Sequence, residues 1–367
     1  MSDLVQSPLA EIHRGLGAKF AEFGGFEMPL EYTGVVSEHT AVRTSAGIFD
    51  VSHLGTFLVE GEGAAEWLNT RLSNDLNRIS PGQAQYTLLL NEHGGVVDDM
   101  IAYLFSPEKV MVIPNAANSD EVMRILRAGA PENLVWTDRH TADAILAIQG
   151  PSSPSVLAAA GLPIDMDYMH FRMAEVDLDG IPVTMTVCRT GYTGERGYEI
   201  VVPAPNAVPL WNLLTASGDL QPCGLGARDT LRTEMGYPLH GNDLSPTISP
   251  VEARLSWAVG WKKDHFDGDQ VVRAQRRDGV PRTLLGIRAC GRAIPRHGMT
   301  VLSLDGVPVG EVTSGTFSPT LKQGIGLALI PSSLQPGDQV QVEIRGRHEL
   351  FDLLKPPFVP SHVTDAR

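Results

Sequence analysis

The sequence predicts an α+β fold rich in antiparallel sheet, and three observations point there. Its 367 residues exceed the roughly 250 to 300 at which one hydrophobic core stops growing, so more than one domain is expected. Helical and strand periodicities alternate through the first part of the chain, where the strands come as hairpins. Beyond residue 280 almost everything reads as strand and turn.

The elements follow in order. Apolar spacing of three and four predicts a helix over Val35 to Arg43, closed by Gly47, and another over Ala64 to Leu72 behind a strand at Thr56 to Glu60. From Tyr86 the pattern becomes a meander: Tyr86 to Leu90, a turn at Asn91 to Gly95, a return strand Val96 to Phe105, then Lys109 to Ile113. A second hairpin runs from Ala174 to Leu178, turns at Asp179-Gly180 and returns over Val183 to Val187, apolar at alternate positions. Helices are expected near Leu210 to Leu214 and Leu225 to Met235. The character changes near Gly279 to Arg282, after which short strands at Leu284 to Arg288, Val301 to Leu304, Val307 to Val312, Gly326 to Ile330 and Val340 to Ile344 predict a small β-barrel or sandwich. Two regions are therefore expected, 1–280 and 281–367.

Composition narrows the function classes. Hydrophobic residues make up 43% and charged ones 20% of the chain, as in soluble globular proteins, and no apolar run approaches the roughly 18 residues of a membrane helix. With Lys plus Arg at 29 and Asp plus Glu at 43, the formal net charge is −14, a field that repels nucleic acid and acidic membranes. The three cysteines, Cys188, Cys223 and Cys290, are far apart and odd in number, which suits a reducing compartment. The polar Met1 to Leu9 segment resembles neither a signal peptide nor a transit sequence, and the expected location is the cytoplasm.

Familiar catalytic devices are missing: there is no H-E-x-x-H, no G-x-x-x-x-G-K-[ST] and no G-x-S-x-G. Gly224-Leu225-Gly226 begins like a dinucleotide fingerprint, but Asp229 stands where the third glycine belongs. The 11 histidines are scattered singly, so no metal is expected.

Three constellations remain. Asn91 to Ile101 sets two adjacent carboxylates, Asp98 and Asp99, inside an otherwise apolar return strand. Side chains alternate faces, so one of them is buried, which costs several kcal/mol unless it is hydrogen-bonded or meets a cationic or proton-bearing ligand. Two readings stand: one Asp solvated and the other capping a local turn, or a carboxylate held for a ligand. Arg189 to Glu199 carries three glycines in seven residues, with Tyr192, Tyr198 and Glu199. This is either a ligand loop whose glycines let the backbone approach closely, or a plain hairpin. Cys223 to Arg232 is a glycine-rich lead into a helix that sets Arg228 near a helix N-terminus, where the dipole opposes it unless it meets an anion or polar ligand. Arg232 is expected as a salt-bridge partner.

Taken together these segments resemble the glycine cleavage system T-protein, or aminomethyltransferase, family. The likeness also takes in Phe23 to Leu30, Glu38-His39 with Val42-Arg43-Thr44, Phe49-Asp50-Val51-Ser52-His53, Gln149-Gly150-Pro151, Val312 to Gly315 with Ser318-Pro319, and Lys355 to Pro360. It implies a three-subdomain cloverleaf around a central folate channel: two α+β folate-binding subdomains, one inserted at about residues 54–140, and a C-terminal β-barrel. It implies transfer of a one-carbon unit from the aminomethyl-lipoyl arm of H-protein to tetrahydrofolate, releasing ammonia and 5,10-methylenetetrahydrofolate. By the same likeness Asp98, first acid of the G-G-x-x-D-D turn, is the key acid against the folate and Asp99 is structural. Glu199 and Arg228 look like polar contacts to folate, with Tyr192, Tyr86 and Asn115 lining the same pocket.

Two departures from the family pattern stand out: Leu54 where Met is frequent, and Ser361-His362-Val363 where some members carry tyrosines that reach the folate. Related folds serve tetrahydrofolate-dependent demethylases, a competing reading. The flavin-bearing oxidases of the same fold need a domain for which this chain has neither the length nor the fingerprint. Folate-binding iron-sulfur maturation factors carry K-G-C-x-x-G-Q-E, whereas Arg189 to Glu195 here has no cysteine.

Overall fold

A computed structural model describes residues 4–216 and 218–364. Two antiparallel-rich sheets stack face to face, and a closed barrel packs against one edge of the first and against the Leu225–Met235 helix. The first sheet has five strands, in the order Gln83–Leu90, Val96–Ser106, Lys109–Ile113, Phe57–Glu60 and Val135–Asp138, all antiparallel. The second has six: Phe171–Leu178, Ile181–Cys188, Gly197–Pro203, Asp143–Gln149 and Gly47–Asp50, with the short Gln221–Pro222 added in parallel. A small three-stranded sheet near the N-terminus includes the Lys19–Phe23 and Phe26–Glu31 hairpin.

Each sheet buries its outer face under helices. Ala64–Arg71 and Ser119–Arg127 cover the five-stranded sheet through Leu68, Val122 and Leu126. Ser153–Ala159 and Ala207–Thr215 cover the six-stranded one through Leu157, Leu210 and Trp211. The inner faces meet through Phe49, Tyr103, Met111, Ile145, Ala147 and Phe171, to which the Leu225–Met235 helix adds Leu231. Side-chain alternation makes this four-layer arrangement of helices, sheet, sheet and helices possible, because each strand has one face for its helices and one for the opposite sheet.

The barrel runs Arg282–Ala289, Gln323–Pro331, Pro308–Ser318, Thr300–Leu302, Gln339–Ile344 and Arg347–Leu354 around a core of Leu285, Ile287, Val312, Ala328, Val340 and Phe351. The mixed α+β architecture with a terminal barrel is the one the family likeness implied. Several local expectations need correcting. Gly47 does not close the Val35–Thr44 helix; it opens a strand, where a Cβ would fall 2.6 Å from both Val42 Cγ2 and Cys223 Sγ. The helix Asp269–Asp278 and the last barrel strand, Arg347–Leu354, were not foreseen. The Asp179-Gly180 turn is a tight hairpin with both residues at positive φ, 56° and 83°.

Candidate functional site

The meander hairpin sets the first wall of a cavity. Asp98 lies opposite Leu89 and Asp99 opposite Leu88, with a register shift just before the turn. The turn is locked from outside: Gly95 packs so tightly on the 246 carbonyl that a Cβ would fall 1.9 Å from it, and the Val96 amide donates to the carbonyls of Ser245 and Ile248. The neighbouring strand stops at Ile113, paired with Ile101, which leaves the edge beside residues 98 and 99 open. Asn115 fills it. Its backbone N–H donates to Asp98 Oδ2 at 2.9 Å, and its side-chain nitrogen lies 2.9 Å from Asp98 Oδ1 and 3.0 Å from Asp99 Oδ1.

The cavity holds about 250 Å³ between the two sheets and the Leu225–Met235 helix. Asp99, Asn115, Tyr86, Tyr192, Glu199 and Arg228 all line it. Asp98, which the family motif led one to expect against the ligand, is not among the lining side chains. Its carboxylate is wholly buried behind the wall, satisfied by Asn115 and by the Asn118 side chain at 2.7 Å. The alternation of faces that separates the two acids turns the second one, Asp99, to the cavity. Asp99 Oδ2 accepts from the Tyr86 hydroxyl at 3.0 Å. Burial raises the pKa of both acids, and the charge of Asp99 adds to the rise at Asp98, which reaches about 7. Two interacting carboxyls this close titrate as a unit.

The opposite wall comes from the 189–199 run and the helix behind it. Glu199 is 9% exposed and accepts from the Thr190 hydroxyl at 2.6 Å. Tyr192 donates its hydroxyl to the Pro238 carbonyl, and its ring lies between Tyr237, centroids 5.7 Å apart, and the Arg228 guanidinium, 4.8 Å from the ring centre. Arg228 Nη1 is buried with no hydrogen-bond partner among the described residues. A guanidinium nitrogen kept out of water without a hydrogen-bond partner is costly unless something accepts from it, so Nη1 marks where a polar or anionic ligand belongs. Arg232, one turn on, behaves as expected of a salt-bridge residue: Nη1 lies 2.9 Å from Asp243 and Nη2 lies 2.7 Å from Asp229.

The glycines of the 189–199 run, of which Gly191 lines the cavity, also give way to neighbouring side chains. A Cβ on Gly191 would fall 2.1 Å from Gln149 Oε1, one on Gly197 would fall 2.4 Å from Gln149 Cδ, and one on Gly194 would strike Met235 Sδ at 2.2 Å. They make room for protein. The Gln149 amide lies between two of them, donating to the carbonyls of Thr190 and Tyr198 and accepting from the Thr193 hydroxyl. The segment after Pro360 folds back on this run, with the His362 amide donating to the Gly194 carbonyl and Arg189 Nη2 to the Val363 carbonyl.

Sequence reasoning missed several lining residues: Phe23, His53, Tyr168, His240 and Trp257. Trp257 is 61% exposed and stacks on Tyr86, ring centroids 5.2 Å apart, so it stands where the cavity meets solvent. It lies in an irregular stretch without periodicity and gave no signal. His53 sits within a quoted motif, where its chemistry passed unweighed. No group of three or more His, Cys, Asp or Glu is arranged to hold a metal among the described residues, and none of their helices is long and apolar enough to cross a membrane. Donors at Arg228, acceptors at Glu199 and Asp99, and ring faces at Tyr86, Trp257 and Tyr192 equip the cavity for a flat, polar heterocycle.

Comparison with known proteins agrees with the architecture. The GCVT N-terminal domain family matches residues 9–263, and the glycine cleavage T-protein C-terminal barrel domain family matches residues 282–360. An aminomethyltransferase of Frankia alni is 58% identical over 98% of this chain and 99% of its own length. One from Mycobacterium avium is 52% identical over 98% of each. The crystal structure of glycine cleavage system aminomethyltransferase T from Bartonella henselae superposes with a TM-score of 0.93 at 34% identity, covering 99% of this chain and 100% of that one. On this evidence the chain belongs to the glycine cleavage T-protein family of aminomethyltransferases.

Proposed function

We propose that the chain transfers a one-carbon unit from the aminomethyl-lipoyl arm of a lipoylated H-protein to tetrahydrofolate, releasing ammonia and 5,10-methylenetetrahydrofolate, in the cytoplasm and without a metal. The observation that carries this reading is the unpartnered Arg228 donor facing a cavity to which Glu199 and Asp99 bring carboxylate acceptors. A reduced pterin supplies both N–H donors and a carbonyl acceptor, so this donor set fits it. The net charge of −14 disfavours nucleic acid and acidic membrane as partners.

In this reading Asp99 takes the place at the ligand first assigned to Asp98. Held by Tyr86 and Asn115, Asp99 orients the ligand's N–H groups and accepts a proton from them. Asp98 acts from behind, by fixing Asn115 and by setting how readily its neighbour ionises. Glu199 and Arg228 bind and orient the ring, and Tyr86, Tyr192 and Trp257 exclude water around it.

The test is a direct comparison of donors. Transfer to tetrahydrofolate is measured with aminomethyl-loaded H-protein and, separately, with small N-methylated amines. Turnover with the H-protein alone supports the proposal; turnover with the methylated amines alone makes the chain a demethylase and removes the lipoyl partner.

A further inference from the structure

His53 is the exception among the buried and half-buried histidines. Its neighbours in kind are tied: His13 to Asp50 at 2.9 Å, His39 to Thr230 at 2.8 Å, His170 to Gln83 at 2.9 Å and His240 to Asn118 at 3.0 Å. His140 points at the His53 backbone, donating to its carbonyl at 2.8 Å. The His53 ring itself, 2% exposed, hydrogen-bonds no described residue, and its Nδ1 is buried outright without a partner. An apolar side chain of the same size would cost the fold less at this position, since a polar ring taken from water and left unmet is a net loss.

The ring lines the cavity. Phe23 meets it edge to face, centroids 5.1 Å apart, and Leu54, Leu225 and Arg228 line the same cavity. Burial first, and then the Arg228 charge, lower the His53 pKa to about 3. At neutral pH it is therefore an uncharged imidazole, with one nitrogen to donate and one to accept. Phe23 is 39% exposed, so this side of the cavity also reaches the surface.

We propose that His53 contacts the carbon donor in this cavity and donates a hydrogen bond to the sulfur that leaves. The inference rests on the transfer reading above and deepens it. In that reaction the transferred carbon exchanges its bonds to sulfur and to the amine nitrogen for two bonds to folate nitrogens. The electron pair of the broken C–S bond stays on sulfur, and the two protons shed by the folate nitrogens end on ammonia and on sulfur, so no oxidant or reductant is needed. A neutral imidazole N–H steadies the departing sulfur without giving up its proton. The adjacent guanidinium favours a sulfur gaining negative charge and disfavours a cationic amine in the same spot. Apolar neighbours and an opening beside Phe23 suit an aliphatic arm that arrives tethered to another protein.

His53→Leu, His53→Gln and His53→Asn test this in the full chain, by melting temperature, tetrahydrofolate affinity from calorimetry, and transfer rate from aminomethyl-loaded H-protein. The Leu variant is expected to melt at or above the wild-type temperature and to bind tetrahydrofolate unchanged, while transferring about 100-fold more slowly, as on loss of one positioned donor. Gln or Asn, whose amide N–H stands near one of the ring nitrogens, is expected to recover part of the rate. A Leu variant that turns over at the wild-type rate overturns the proposal. So does one whose tetrahydrofolate affinity falls in step with its rate, which would make His53 a folate contact. Should Leu fail to fold, equal wild-type rates in Gln and Asn with no slowed variant overturn it as well. A wild-type chain inert toward loaded H-protein sinks the transfer reading itself, a result distinct from all of these.

Discussion

The Tyr86 hydroxyl donates to Asp99 Oδ2 at 3.0 Å, which holds the second acid of the pair against the cavity while the first, Asp98, faces Asn115 and Asn118 behind it. Replacing either acid with its amide therefore has different consequences. Asp99→Asn is expected to lower the transfer rate by about 100-fold or more with the fold intact, the loss usual for a positioned acid-base group. Asp98→Asn sets an amide N–H against donors already aimed at it, and is expected to cost about 1–3 kcal/mol of stability. Single-turnover transfer and thermal unfolding of both variants check the assignment. Equal catalytic loss in Asp98→Asn with no change in stability would return the leading role to Asp98.

The same pair gives the molecule a pH dependence. An acid whose pKa rises on folding contributes stability below its unfolded pKa and loses that contribution as pH climbs through the folded value. For Asp98 the window runs from its ordinary 3.8 to about 7. Stability measured by denaturant titration across this range is expected to fall with rising pH through this pair, and the slope is expected to flatten in Asp98→Asn. An unchanged slope would show that the two carboxyls do not share a proton.

Arg228→Ala and Glu199→Ala are each expected to weaken tetrahydrofolate binding by about 10- to 100-fold, the value of a hydrogen bond to a charged group. Arg228→Ala is expected to leave stability unchanged or improved, because the side chain's Nη1 has no partner to lose. Isothermal calorimetry reads the first effect and thermal melting the second. Undiminished affinity in both variants would place the folate elsewhere.

Gly197→Ala introduces a methyl 2.4 Å from the Gln149 side chain. An overpacking cost of about 1–3 kcal/mol is expected, with much of it recovered in the double variant with Gln149→Ala, since the clash is then gone. A simple sum of the two single effects in the double-mutant cycle would rule out the contact.

At the barrel junction Glu234 accepts from Ser318 at 2.5 Å and Thr320 at 3.0 Å of the barrel and from Arg43 Nη2 at 2.8 Å. Burial alone would raise its pKa, but the bonds from His39 and Ser318 and the charges of His39 and Arg43 outweigh it and hold it down to about 2. A depressed acid stabilises above its unfolded pKa and gives this up as pH falls through the folded value. Glu234→Gln is thus expected to lose stability at neutral pH, with the difference from wild type shrinking as the medium is acidified from about 4.5 toward 2. A gap that stays constant over that range, followed by denaturant unfolding, would refute the assignment.

Much of the frame was legible because it rests on short-range pattern. Leu225–Met235 shows its apolar face every third or fourth residue and lies where that spacing sets it. The Val96–Ser106 strand follows its turn as expected. The helix Asp269–Asp278 escaped notice because it buries little beyond Asp269 and Val272, too narrow a stripe to stand out. In the cavity, alternation established that Asp98 and Asp99 part ways, but not which of them faces inward. That choice depends on the stacking of a second sheet whose strands come from 47–50, from between 143 and 203 and from 221–222, beyond the reach of any local window. The packing role of the glycines at 191 and 197 was hidden for a similar reason: what crowds them is Gln149, over 40 positions earlier in the chain.

One helix serves two masters. Arg228 on the Leu225–Met235 helix looks into the cavity, while Arg232 and Glu234, one to two turns along, are anchored in Ser314, Ser318 and Thr320 of the barrel. A small tilt of this rod to suit a remodelled barrel would carry the guanidinium with it. The C-terminal module is therefore not a freely exchangeable appendage, and grafting one from a distant relative should be felt first as altered ligand affinity rather than as a failure to fold.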